Sequence, residues 1–63
     1  MTMEKFEQLK QVIANIEPDF EKFYGKGVKA ASPRIRKAMQ EIKALAQEIR
    51  VDVQEKRNQL DAE

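Results

Sequence analysis

An all-α fold is what this 63-residue sequence predicts: two helices packed as an antiparallel, coiled-coil-like hairpin. Apolar residues advance in alternating steps of three and four on both sides of one short break, the mark of an amphipathic helix with a coiled-coil seam. The break holds both glycines of the chain. Charged residues make up 37%, with no Trp and no Cys, a composition that favours long solvated helices and leaves no disulfide framework.

The first helix is expected over about residues 3–24, on the seam Phe6, Leu9, Ile13, Ile16, Phe20 and Phe23. Pro18 lies inside this pattern; it removes the hydrogen bond to Ala14 and is expected to bend the helix, with the heptad phase continuing through it. Gly25 and Gly27 then end the pattern as C-cap and turn residues.

A basic hinge is expected over about residues 25–32, and a second helix over about 33–60. Ser32 reads as its N-cap and Pro33 as its first helical residue. The second seam runs Ile35, Met39, Ile42, Ala46, Ile49 and Val53, with Leu60 one heptad further. Within it QEIKALA (40–46), QEIRVDV (47–53) and QEKRNQL (54–60) repeat at heptad spacing. The repeat stacks Lys43, Arg50 and Arg57 into a basic row beside the apolar one.

Folding about a tight hinge pairs Phe23 with Ile35, Phe20 with Met39, Ile16 with Ile42 and Phe6 with Val53. Val12 and Leu45 widen the apolar face on one flank, and Leu60 overhangs the end of the first helix. So short a chain buries little surface alone, so self-association into a four-helix bundle is expected, as a homodimer or tetramer. The residues assigned to it are Phe6, Val12, Ile13, Phe20, Leu45, Ile49, Val53 and Leu60.

The charge distribution carries the functional signal. Residues 1–21 hold two lysines against five acids, net −3, and residues 38–63 hold four bases against six acids, net −2. Residues 22–40 hold Lys22, Lys26, Lys29, Arg34, Arg36 and Lys37 and no acid, net +6. Concentrated positive charge on a small protein is the footprint of a polyanion binder. Arg34, Arg36 and Lys37 also fall at the positive end of the second helix's macrodipole, where acids rather than bases stabilise. That placement suits a chain whose hinge receives an anion, and helix N-termini are ready-made phosphate sites. Tyr24 and Lys43 are further candidate contacts beside the hinge.

No catalytic constellation is present. The chain has no His and no Cys, and its carboxylates fall on solvent-facing rows without a pocket. No cofactor, metal site or small-molecule substrate is expected. No segment reaches transmembrane length or resembles an apolar leader, so a cytoplasmic location and no membrane partner are expected.

The hinge run Lys26-Gly27-Val28-Lys29-Ala30-Ala31-Ser32-Pro33-Arg34-Ile35-Arg36-Lys37 resembles the signature of bacterial linker-histone-like proteins, the family that includes the chlamydial histone-like nucleoid protein. Lys29-Ala30-Ala31 and Arg34-x-Arg36-Lys37 match in type and spacing, and Ile42 to Arg50 is similar to the family's second helix. Val28 stands where Asn is usual, and Ser32-Pro33 where Gly and Thr or Gln are common. The resemblance implies a non-enzymatic nucleoid protein that binds double-stranded DNA with little sequence preference. On this reading Lys22, Lys26, Lys29, Arg34, Arg36 and Lys37 contact phosphates, and two hinges per dimer bridge or compact DNA. The alternative is a helical-hairpin protein-interaction module without nucleic-acid function, whose information would lie on the Val12–Leu45 flank.

Overall fold

The structure, a computed structural model, describes residues 3–61. Helix α1 spans Glu4–Phe20 and α2 spans Ser32–Asp61. They pack antiparallel in a rod of 53 × 15 × 13 Å. The first turn of α1 lacks a side-chain cap, but Glu4 and Glu7 lie there and complement the positive end of its dipole. Pro18 does not interrupt α1, which remains helical through Phe20. A π-helical turn, Glu21–Gly25, extends it toward the hinge.

The reversal itself needs only Gly27 and Val28. Gly27 adopts φ +67°, the left-handed conformation that an L side chain resists. The Gly27 N–H donates to the Phe23 carbonyl at 3.1 Å, and the Val28 N–H donates to the Lys22 carbonyl at 3.0 Å. With Gly27 left-handed, the first of these is the 5→1 bond of an αL cap, and the second, spanning six residues, satisfies a further carbonyl of the π turn. A 3₁₀ turn, Lys29–Ala31, then leads directly into α2. The extended residue before it is Val28, whose carbonyl accepts from the Ala31 N–H at 3.2 Å.

Here the structure corrects the N-cap expected at Ser32. Ser32 is itself helical, with φ −57° and ψ −49°, whereas an N-cap residue sits outside the helical region. The 3₁₀ turn lengthens the second helical arm by one turn toward the hinge, and Val28 takes the flanking place.

The interhelical seam is also rotated from the one that the apolar steps predict. On α1 the side facing α2 carries Leu9, Val12, Ile16 and Asp19, followed by Phe23 in the π turn; on the second arm it carries Ala31, Ile35, Ala38, Ile42, Leu45, Ile49 and Asp52. Phe6, Ile13, Met39 and Val53, all expected in the seam, are exposed, while Phe20 is half-buried at its edge. Only Ile16, Ala31 and Ala38 are buried among the described residues. Two of these are alanines near the hinge, where small side chains let the helices approach closely. Two interhelical ion pairs lie along one edge of the seam. Arg34 Nη2 meets Asp19 Oδ1 at 2.7 Å near the hinge, and Lys5 Nζ meets Asp52 Oδ2 at 3.2 Å near the open end. Charge complementarity at two separated points holds the register and turns Val12 and Leu45 toward the seam. The opposite edge is left apolar.

Candidate nucleic-acid interface

The hinge end gathers cations from three local elements. Lys22 comes from the π turn, Lys26 from its end, Lys29 from the 3₁₀ turn, and Arg34, Arg36 and Lys37 from the start of α2. All six are exposed. The first turn of α2 contains no acid, so its dipole adds to their positive potential. Arg36 and Lys37 line a shallow depression of about 260 Å³ with Pro33 and Gln40.

Arg34 differs from the other five. Its Nε donates to Asp19 Oδ1 at 2.8 Å and its Nη2 approaches the same oxygen at 2.7 Å. The Asp19 side chain is only 15% exposed, so the pair sits against the helix interface. Hydrogen bonding from Arg34 holds the Asp19 carboxyl below its usual range despite partial desolvation, with the charges of Arg34 and Lys22 acting in the same direction. The same bond raises the Arg34 guanidinium. Among the described residues, Lys22, Lys26, Lys29, Arg36 and Lys37 form no ion pair. Five cations are therefore uncommitted, and the sixth already carries an internal carboxylate.

The family model described as Histone H1-like protein Hc1 matches residues 3–59, nearly the whole chain, hinge included. The chain belongs to this histone H1-like family. It is a non-enzymatic, DNA-packaging family, in keeping with the cationic hinge. No curated protein and no solved structure matches the chain. No helix among the described residues is long and apolar enough to cross a membrane, and no cluster of metal-ligating side chains occurs among them.

Against this histone-like background the remaining candidate residues fall into two groups. Tyr24 is 75% exposed beside the hinge, its ring stacked on Phe20 at 5.8 Å and edge-on to Phe23 at 5.1 Å. The phenol is thereby held at the same end as the cations. Lys43 lies further along α2, beside Arg50 in a shallow depression with Gln40, Ala44, Ala46 and Gln47. Asp19 is the residue that reading the sequence missed. Its signal was available: Asp19 and Arg34 are opposite charges at similar distances from the Gly27 turn on seam-flanking positions.

Proposed function

We propose that the chain binds double-stranded DNA through its hinge by neutralising phosphates, with little dependence on base sequence, and that it self-associates to compact DNA in a bacterial nucleoid. The observation that carries this is the acid-free cluster of five uncommitted, exposed cations at one end of the rod. Such a cluster releases condensed counterions on meeting a duplex, and the binding free energy then follows salt rather than sequence. Lys22, Lys26, Lys29, Arg36 and Lys37 make the primary contacts, and Arg34 joins when a phosphate competes with Asp19 for it. Tyr24 offers a hydroxyl at the same end. A docking module without nucleic-acid function would have no use for these cations, and histone-like membership supports the DNA reading.

Equilibrium binding to two unrelated duplexes over a series of salt concentrations tests this. Wild type should bind both with similar affinity and a steep salt slope. Replacing Arg36 and Lys37 with Ala should weaken both equally and flatten the slope of log affinity against log salt by about 0.9 per lost contact. An unchanged slope and affinity in the double variant would refute the assignment of the hinge.

A further inference from the structure

The rod has one apolar edge that its own fold leaves uncovered. Phe6, Ile13 and Phe20 on α1 follow at heptad spacing, and Met39, Ala46 and Val53 on α2 do the same. The two stripes run side by side on one edge, opposite the edge closed by the Arg34–Asp19 and Lys5–Asp52 pairs. Ile13 is 50% exposed and Val53 57%. Between the stripes lies a groove of about 320 Å³ walled by Ile13, Ile16, Phe20, Met39 and Ile42, with Glu17 as its one charged neighbour.

The geometry points to this edge as the docking surface for a second copy of the chain, which specifies the face used in the self-association proposed above. Three properties select that occupant. Heptad spacing on both helices is the spacing that knobs-into-holes packing between helices requires, and a second copy presents the same spacing in return. The two stripes also match in length, Phe6 to Phe20 and Met39 to Val53, each about 21 Å of helix at about 1.5 Å per residue, so that opposed copies align layer for layer. With Ile16 the only large side chain buried among the described residues, the isolated hairpin has little of the apolar burial that stabilises a domain, and pairing supplies it. DNA is a poor fit for the groove, because the hinge cations do not line it. The Val12–Leu45 flank, half-buried and bordered by Gln8, Gln11, Glu41 and Glu48, is the more polar side and faces solvent in the pair.

Sedimentation equilibrium without DNA, at tens of micromolar, provides the test. Wild type should have twice the 7.3 kDa mass of one chain. Ile13→Glu and Val53→Glu should each lower the apparent mass toward that of one chain, whereas Ala44→Glu, on the opposite side, should leave it doubled. Should a variant lose its helical circular dichroism, isotope-filtered NOEs in a mixture of labelled and unlabelled wild type decide instead. Contacts between copies from the Ile13, Met39 and Val53 methyl groups are expected. A monomeric wild type would overturn self-association itself. A wild-type dimer that survives both Glu variants, or whose intermolecular NOEs come from Val12 and Leu45, would overturn the choice of face.

Discussion

Asp19 pairs with Arg34, and if the hinge binds DNA as proposed this gives the residue two separable effects. As a carboxylate it competes with DNA for Arg34 and lowers the positive potential of the hinge. As a partner of Arg34 it ties α1 to the start of α2. Asp19→Asn should therefore tighten duplex binding while reducing stability. The affinity gain should be modest, about two- to fivefold, because water and salt already compete for the exposed side of Arg34. Fluorescence anisotropy against a labelled duplex would read the first effect and thermal denaturation the second; weaker binding would contradict the competition. The pair also predicts a direction in pH. The folded-state carboxyl is held below its unfolded value, so its contribution is present above the unfolded pKa of about 3.9 and is lost as pH falls through the folded value. Wild type should lose stability relative to Asp19→Asn as the pH is lowered below about 4, and the two denaturation curves should converge.

At the scale of elements, the hinge works because only Gly27 and Val28 fall outside the helical and turn elements, and Gly27 sits at φ +67°. Gly25 lies in the π turn with a negative φ, and nothing lies within 4 Å of where its Cβ would be. The two glycines should therefore respond oppositely to alanine. Gly27→Ala forces an L residue into the left-handed region and should cost about 1–2 kcal/mol. Gly25→Ala should be neutral or stabilise by about 0.4–1 kcal/mol, chiefly by restricting the unfolded chain. Chemical denaturation of both variants measures this, at matched protein concentration so that self-association does not distort the comparison. Equal losses would mean that the left-handed glycine cap is not what holds the turn. The cap also places Lys26 and Lys29 on either side of the reversal, so an altered turn should weaken DNA binding as well as stability.

For the whole molecule, the arrangement of two hairpins decides what DNA binding achieves. If two rods pack along their apolar edges in opposite directions, the basic hinges lie at opposite ends, about one rod length of 53 Å apart. Packing in the same direction would bring two hinges of net charge +6 together. Repulsion between these clusters favours the opposed arrangement. The expected result is bridging between separate duplex segments. Single-molecule imaging of long DNA should show protein-dependent loops at low salt, and Ile13→Glu should bind without forming them. Uniform stiffening without loops under wild type would favour the same-direction clamp.

The amphipathic helices, the break between them and the basic hinge were legible in the sequence because each depends on neighbours along the chain. Alternating apolar steps specify a helix and its sticky side. Paired glycines specify a reversal, and six cations without an acid specify an electropositive end wherever the helices point. The start of the second arm was less legible: Ser32 and Pro33 read as a helix start, yet the preceding Lys29–Ala31 already turns, because the αL cap at Gly27 delivers the chain in a geometry that winds at once. The seam required the tertiary structure. Each helix carries more apolar residues than one partner can cover, so two neighbouring heptad stripes satisfied the sequence pattern equally. Contacts between the two helices decided between them: Asp19 with Arg34, Lys5 with Asp52, and the burial of Ala31 and Ala38. Those contacts turned Val12 and Leu45 toward the interior and left Phe6, Ile13, Met39 and Val53 exposed on the opposite edge. Which stripe is buried depends on the relative rotation of two helices, a degree of freedom that no periodicity within either one constrains.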